Sequence, residues 1–156
     1  MDYIVKQTHN LLIKKKKNIA VAESCTGGLL CNYLTQIPGS SKYFVLGVVL
    51  YSNEIKEDIL KIPADIIAKK GAVSKDVAGL LAKSVRLIAK TDFGIGITGI
   101  AGPMGGSKEK PVGTVFIAID AKNKKICKKF NFRGSRLAIR KRAALKALEL
   151  LGSLHL

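Results

Sequence analysis

Short apolar segments alternate with segments of helical periodicity, and this alternation constrains the fold more than any other feature of the chain. Three such segments are IAVA at 19–22, YFVLGVVLY at 43–51 and FGIGIT at 93–98. A fourth, TVFIAID at 114–120, is followed by the turn AKNK and an antiparallel partner around 125–132. Strands separated by helices, with a hairpin near the end, predict a mixed, mostly parallel sheet covered by helices. We therefore expect an α/β fold, a three-layer α/β/α sandwich, formed as one domain over residues 1–156.

Helical segments fill the intervals between these strands. Apolar spacing and turn residues predict helices over 2–17, 26–36 and about 137–151, with Ser135 as the cap of the last one. Two further short helices are predicted on either side of Pro63. Ser74 is the predicted N-cap of a longer amphipathic helix that reaches about Lys90. Its predicted core-facing residues are Val77, Leu80, Leu81, Val85 and Ile88.

The chain is strongly basic, with 27 Lys and Arg against 11 Asp and Glu and a formal net charge of +16. Such a surplus favours anionic ligands such as nucleotides, phosphates or nucleic acid, but it does not select among them. The densest basic runs are 14–17 and 122–129. A solvated lysine-rich surface is the simplest explanation for both runs.

Cysteine content and the first residues predict the cellular compartment. Cys25, Cys31 and Cys127 show neither metal-ligand spacing nor a disulfide framework, so we expect a reducing environment. The N-terminal segment does not follow the pattern of a secretory signal, and no apolar run reaches the length of a membrane span. These features predict a cytoplasmic protein that is not bound to a membrane.

Histidine is a poor candidate for a general base in this chain. The two histidines are His9, in the first predicted helix, and His155, next to the last residue, whereas the glycine-rich turns that look like a site contain neither. A Ser-His-Asp triad is therefore not expected. Lysine remains available as the base if burial or neighbouring cations lower its pKa towards neutrality.

Ser24 is the best-placed candidate nucleophile, because it follows the IAVA strand and precedes a predicted helix whose open amides could hold an oxyanion or a phosphate. The alternative is that Ser24 or Thr26 only caps this helix, with Gly27 and Gly28 allowing close packing. Cys25 is a rival nucleophile. A cysteine beside a core strand is, however, more often a small buried apolar residue.

Tyr51 and Lys56 lie where the second strand turns into a helix, in YSNEIK. Both could reach the cleft of Ser24 if the two strands are neighbours and end at the same edge of the sheet. Taken alone, Lys56 is as well explained as a surface lysine on an amphipathic helix, and Tyr51 as an aromatic residue at the edge of the sheet.

The stretch TGIAGPMGG, from Thr98 to Gly106, follows a strand and contains four glycines, so its backbone amides could approach a ligand closely. A tight turn without a ligand is an equally good interpretation of the glycines. GIGITG at 94–99 fits the dinucleotide-binding spacing only weakly, because its first glycines fall inside a predicted strand. Arg136 and Arg140, four residues apart, could grip a phosphate together or be exposed helical arginines.

Five blocks of the sequence together resemble the CinA C-terminal domain family, which includes stand-alone nicotinamide mononucleotide amidases. The blocks are AESCTGG at 22–28, YSNEIK at 51–56, GAVS at 71–74, GITGIAGPMGGSKEKPVGTV at 96–115 and RGSR from 133. Their order and spacing agree over nearly the whole chain. Met104 departs from the family pattern, in which this position is often aspartate or glycine.

The resemblance implies a hydrolase that converts the carboxamide of nicotinamide mononucleotide to nicotinate mononucleotide and ammonia in pyridine nucleotide salvage, without a metal or another cofactor. It implies Ser24 as the nucleophile, Lys56 as the base and Tyr51 as the residue that orients or assists this base. The substrate-binding residues that it implies are Thr26, Gly27, Gly28, Thr98, Gly99, Ala101, Gly102 and Arg140, the last as a ligand of the phosphate. We also expect a homo-oligomer, such as a dimer.

The competing hypothesis is a non-catalytic protein that binds nucleotides or nucleic acid and is linked to competence or DNA damage. The basic surface would support nucleic-acid binding. The aromatic content of 6% argues against a stacking platform for single strands.

Overall fold

A five-stranded sheet forms the centre of the molecule. The computed structural model describes residues 3–154. The strands lie side by side in the order β2–β1–β3–β4–β5. Their bounds are β1 Ile19–Glu23, β2 Phe44–Val49, β3 Phe93–Gly99, β4 Thr114–Ala121 and β5 Lys124–Asn131. Strand β1 is parallel to β2 and β3, whereas β4 runs antiparallel to β3 and β5, so four strands point one way. The predicted mixed, mostly parallel sheet is confirmed.

Six helices cover the two faces of this sheet. Their bounds are α1 Tyr3–Lys15, α2 Leu29–Thr35, α3 Asn53–Leu60, α4 Ala64–Lys70, α5 Lys75–Ala89 and α6 Arg136–Gly152, with a 3-10 turn at Ser40–Lys42. Helices α1, α2 and α6 pack together on one face, and α3, α4 and α5 on the other. The predicted three-layer α/β/α sandwich is therefore confirmed.

Strand β1 shows how the sequence divides the core between the two faces. Ile19 and Val21 pack towards α1, α2 and α6, whereas Ala20 and Ala22 pack towards α3, α4 and α5. Successive residues of a strand point to opposite faces, so the alternation of large and small side chains creates one deep and one shallow face. The shallow face lets a helix lie close to the sheet.

Glycines in β3 bring α5 into close contact with the sheet. A Cβ atom at Gly96 would collide with the carbonyl of Ala78 and lie 2.6 Å from the amide nitrogen of Ala82. Gly94 faces Ala82 in the same way. The GIGITG spacing thus serves helix packing.

Two sequence predictions about helices need correction. The helix predicted from Thr26 begins only at Leu29, because Gly27 and Gly28 adopt positive φ angles of 59° and 93° that are incompatible with a helix. Ile88, predicted to face the core, is exposed. In the last turns of α5, Val85 and Ala89 pack against the core instead, and Ile88 lies beside this stripe.

The predicted caps of α5 and α6 agree with the structure. Ser74 and Ser135 accept hydrogen bonds from the amides of Val77 and Ala138 at the starts of α5 and α6. Strand β2, the strongest strand signal, lies at the edge of the sheet. Within residues 3–154 no helix is both long and apolar enough to cross a bilayer. His155 lies outside the described residues.

Candidate active site

A cleft of about 280 Å³ opens at the carboxyl ends of the parallel strands. Ser24 follows β1 directly and is held to β3 by its amide, which donates to the carbonyl of Ile97 at 3.0 Å. The ends of neighbouring parallel strands thus deliver residues from separate parts of the sequence to one place. The lining residues are Ser24, Cys25, Tyr51, Asn53, Lys56, Ala72, Val73, Thr98, Gly99, Ile100, Ala101, Gly102, Met104, Gly105 and Arg136.

Lys56 is the most unusual residue of this cleft, because it is a lysine with only 1% of its surface exposed. Its Nζ donates to the carbonyl oxygens of Ser52 at 3.1 Å and Tyr51 at 3.4 Å, just before the start of α3. Among the described residues, no carboxylate lies within ion-pair distance of this amine. Burial lowers the pKa of Lys56 from its usual value of 10.5. Burial therefore favours the neutral form of this amine more than it would at an exposed lysine.

Ser24 and Cys25 are adjacent but differ in their surroundings. Ser24 is partly exposed at the cleft, whereas Cys25 is buried. Burial raises the pKa of the Cys25 thiol to about 12, so the thiolate that a cysteine nucleophile requires is scarce near neutrality. The hydroxyl of Ser24 is the better candidate nucleophile.

Tyr51 and Arg136 meet across the mouth of the cleft. The Arg136 guanidinium donates one hydrogen bond to the Tyr51 hydroxyl at 2.6 Å and another to the Gly102 carbonyl at 2.7 Å. Arg136 thereby links the start of α3, the glycine-rich loop and the first turn of α6. It also places a positive charge at the rim.

Thr98 and the glycine-rich loop form the opposite wall. The Thr98 hydroxyl donates to the Ala72 carbonyl at 2.8 Å, so the end of β3 is tied to the segment before α5. Beyond it, the amides of Ala101 and Gly102 donate to no acceptor in the described part of the chain. This wall can therefore offer backbone donors to a ligand.

The family of the chain follows from a comparison with known proteins. The CinA C-terminal domain family matches residues 1–155. The chain belongs to the CinA C-terminal domain family. A CinA-like protein of Geobacter sulfurreducens is 47% identical over 139 residues, which are 89% of this chain and 34% of that protein. A CinA-like protein of Anaeromyxobacter is 48% identical over 140 residues, 90% of this chain and 34% of that protein. The chain spans about a third of the length of these relatives.

Solved structures of CinA relatives share the fold. The competence/damage inducible protein CihA from Agrobacterium tumefaciens is 34% identical, with a TM-score of 0.93 over 100% of this chain and 98% of that chain. A CinA superfamily protein from Escherichia coli is 32% identical, with a TM-score of 0.91 over 97% of this chain and 90% of that one. The resemblance noted from the five sequence blocks is confirmed.

The amides at the start of α2, the helix that follows the ESCTGG motif, are not open to a ligand, contrary to expectation. The buried carboxylate of Glu23 accepts hydrogen bonds from the amides of Gly28 at 3.0 Å, Leu30 at 3.2 Å and Cys31 at 2.8 Å. Glu23 thus occupies the start of α2 from within the protein. Within this CinA domain, that helix terminus fixes the turn that carries Ser24.

Four of the predicted substrate-binding residues lie outside the cleft lining. Thr26 is fully buried, Gly27 and Gly28 form the turn before α2, and Arg140 is directed at this turn. The Arg140 guanidinium donates to the Thr26 carbonyl from Nε at 3.2 Å and from Nη2 at 2.9 Å. The structure places these residues behind Ser24, whereas Ser24, Tyr51, Lys56, Thr98, Gly99, Ala101 and Gly102 line the cleft together.

Several lining residues were not singled out from the sequence as a site. Asn53 lies inside the YSNEIK block, and Ala72 and Val73 lie inside GAVS, so their motifs carried a signal. Arg136 was considered only together with Arg140. Met104 lines the rim and is highly exposed, so the side chain that departs from the CinA pattern stands at the entrance. Among residues 3–154, no cluster of side chains has the composition of a metal site.

Proposed function

We propose that this CinA-family chain is a nicotinamide mononucleotide amidase, a serine amidohydrolase that releases ammonia from the nicotinamide carboxamide and leaves nicotinate mononucleotide. Pyridine nucleotide salvage would be its metabolic role. The single observation that carries the proposal is the buried Lys56 amine, which has no carboxylate within ion-pair distance in the described chain, in the same cleft as Ser24. A lysine whose pKa is lowered by burial is a competent general base.

The reaction divides into two steps in this proposal. Lys56 Nζ takes the hydroxyl proton of Ser24 as Oγ attacks the amide carbon, and the tetrahedral intermediate collapses when Lys56 returns the proton to the leaving nitrogen, which departs as ammonia. Water then attacks the acyl ester with Lys56 again as the base, which releases the carboxylic acid and restores Ser24. In the described chain no hydrogen bond joins Ser24 Oγ to Lys56 Nζ, so the bound substrate, or water, would complete the contact.

Backbone amides of the glycine-rich loop are the proposed oxyanion donors. Ala101 and Gly102 line the cleft and have unused amides, whereas the amides at the start of α2 already donate to Glu23. Donors fixed before the reaction stabilise the developing negative charge without reorganisation. Tyr51 would assist by holding its backbone carbonyl against the Lys56 amine.

The phosphate of the substrate is the proposed partner of Arg136. This guanidinium lies at the rim of the cleft, whereas Arg140 donates two hydrogen bonds to Thr26 behind Ser24. A phosphate could replace the Tyr51 hydroxyl or the Gly102 carbonyl as the acceptor of Arg136 and gain a charge-assisted bond. Arg140 would then support the nucleophile turn.

The experiment is ammonia release from nicotinamide mononucleotide by the wild type and three variants, Ser24→Ala, Cys25→Ala and Lys56→Met. We expect turnover by the wild type and by Cys25→Ala, and none by the other two. Nicotinamide and the dinucleotide serve as alternative substrates. Circular dichroism checks that each variant is folded.

Two results would contradict the proposal. Turnover by a folded Ser24→Ala protein would remove Ser24 from the nucleophile role. A wild-type protein that releases no ammonia from any of the three substrates would argue for the binding protein without catalysis.

A further inference from the structure

The positive charge of the chain is concentrated in one continuous stretch. Between Ala121 and Leu148 there are eleven basic residues and no Asp or Glu. They are Lys122, Lys124, Lys125, Lys128, Lys129, Arg133, Arg136, Arg140, Lys141, Arg142 and Lys146. This stretch contains β5 and most of α6. A net charge of +16 exceeds what a site for one small nucleotide needs.

Strand β5 presents its lysines along an edge of the sheet. Lys125 and Lys129 belong to the face that carries α5, because Cys127 between them donates to the carbonyl of Lys75 at the start of α5. Lys124 and Lys128 point to the other face. On one face the two lysines lie about 14 Å apart along the strand.

The basic surface continues from β5 to α6 and α5. Arg142 of α6 donates to the carbonyl of Arg133, which joins the exposed side of this helix to the segment after β5. On the other face, a groove of about 550 Å³ separates α5 from β5. Lys75 and Lys83 line its α5 wall, and Lys125 lies on its β5 wall.

Carboxylates near this groove leave most of the positive charge uncompensated. Asp120 is bonded to Arg86 at 2.5 Å and lies 3.9 Å from Lys125, so one carboxylate serves two cations. Asp76 also lines the groove, at the start of α5. On α6, Glu149 pairs with Lys146 near the end of the helix. Three other acidic residues lie on α3, namely Glu54, Glu57 and Asp58.

Protection of the sheet edge explains only part of this pattern. Lysines on an edge strand prevent pairing with another sheet, and this accounts for the four lysines of β5. It does not account for the cations of α6 and α5, which are not on an edge strand. The opposite edge, β2, has the sequence FVLGVV and contains no charged residue.

We propose that β5, with Arg133, Lys141 and Arg142, forms a docking surface for the backbone phosphates of double-stranded nucleic acid. The lysine spacing of about 14 Å equals the rise of roughly four base pairs along the axis of a duplex. The binding is electrostatic and independent of base sequence. It uses residues other than the catalytic candidates Ser24 and Lys56.

The surface lacks the apolar anchors that a membrane or an acidic protein would use. Among the described residues, β5 has no large exposed apolar side chain, and on α6 only Leu137 is in this class. Such side chains strengthen peripheral membrane binding and dominate the affinity of protein interfaces, whereas anionic lipid attracts a lysine cluster by charge alone. Phosphate contacts made by lysine and arginine need none.

The test is fluorescence anisotropy with a labelled 20-base-pair DNA of arbitrary sequence between 50 and 200 mM KCl. For about seven phosphate contacts, one for each cation of this surface, we expect the affinity to fall about 6,000-fold over this range, which is a slope of about −6.3 for log K against log salt. The variant Lys124→Gln/Lys125→Gln/Lys128→Gln/Lys129→Gln should reduce the slope by three to four units. Its ammonia release should equal that of the wild type.

A matched control removes four charges at the other end of the sheet, in Lys42→Gln/Lys61→Gln/Lys69→Gln/Lys70→Gln. This variant should bind DNA with the affinity and salt slope of the wild type. An equal loss of affinity in both quadruple variants would overturn the proposal, because binding would then follow net charge and not one surface. If removal of the edge lysines causes aggregation, Lys141→Gln/Arg142→Gln on the helix should still reduce the slope by about two units. No DNA binding at 50 mM KCl, or tighter binding to vesicles of anionic phospholipid than to DNA, would also overturn it.

Discussion

The Tyr51 hydroxyl accepts a hydrogen bond of 2.6 Å from the Arg136 guanidinium, although 85 residues separate the two in sequence. This bond joins the first turn of α6 to the segment between β2 and α3, above the cleft that contains Ser24. The same guanidinium donates to Gly102, so one side chain fixes three parts of the rim. A ligand that carries a negative charge would meet Arg136 at the entrance.

Replacement of Arg136 by alanine should weaken the binding of phosphorylated substrate. A charge-assisted hydrogen bond contributes about 1.5–3 kcal/mol, so we expect KM for nicotinamide mononucleotide to rise by roughly 10- to 100-fold. The riboside without phosphate is the control substrate, and its kcat/KM should hardly change. A similar loss on both substrates would mean that Arg136 only holds the rim together. Steady-state ammonia release gives KM and kcat/KM for each of the two substrates.

Replacement of Lys56 by methionine should abolish turnover and raise stability. The variant removes a buried amine and keeps the aliphatic packing, so we expect a gain of about 1 kcal/mol and a rise in Tm of about 2–4 °C. Thermal unfolding followed by circular dichroism is the measurement. A lower Tm would show that the Nζ bonds to Tyr51 and Ser52 outweigh the cost of burying the charge.

The activity should rise with pH through the titration of Lys56. Burial lowers the pKa of this amine below 10.5, and the base must be neutral, so kcat/KM increases up to this pKa and then levels off. The free energy of unfolding should also rise with pH. Between the lowered pKa and 10.5 the unfolded chain binds more protons than the folded one, so the free energy of unfolding rises with pH in this window. The free energy of unfolding of Lys56→Met, subtracted from that of the wild type at each pH, isolates this contribution. A difference that does not change with pH would contradict the lowered pKa of Lys56.

Removal of the Glu23 carboxylate should destabilise the nucleophile turn. In Glu23→Ala three amides lose their acceptor in a buried place, and we expect a cost of about 3 kcal/mol in urea unfolding. Glu23→Gln, which keeps one carbonyl oxygen, should lose less. The exposed Glu109→Ala serves as the control and should change stability by less than about 0.5 kcal/mol.

Gly96 of β3 and Gly79 of α5 differ in the space around them, and an alanine at each should change stability in opposite directions. At Gly96 an added Cβ meets backbone atoms of Ala78 and Ala82. Gly96→Ala should therefore lower the free energy of unfolding by about 3 kcal/mol, the upper end of ordinary overpacking. At Gly79, inside α5, a Cβ meets no atom within 4 Å. Gly79→Ala should therefore stabilise the protein by about 0.5–1 kcal/mol, and equal effects at both positions would refute this packing account.

Local patterns were enough to predict the elements and the layers. The runs IAVA and FGIGIT became neighbouring strands, and Ser74 and Ser135 cap the helices that they were expected to cap. Strand and helix periodicity are local properties, and cap chemistry acts over three residues, so a single sequence contains them. The start of α2 was misplaced because the φ angles of Gly27 and Gly28 depend on the turn that Glu23 holds from below.

The site divides in the same way between sequence and tertiary structure. By itself the sequence determined the residue types of the candidate site, namely a serine in a turn after a strand, a lysine as the candidate base and a glycine-rich loop. Only the tertiary structure decided that Lys56 is buried, that Arg136 rather than Arg140 faces the cleft, and that the α2 amides belong to Glu23. The physical reason is that burial, pKa and the direction of a guanidinium depend on side chains far away in sequence, which meet only when parallel strands end at the same edge of the sheet.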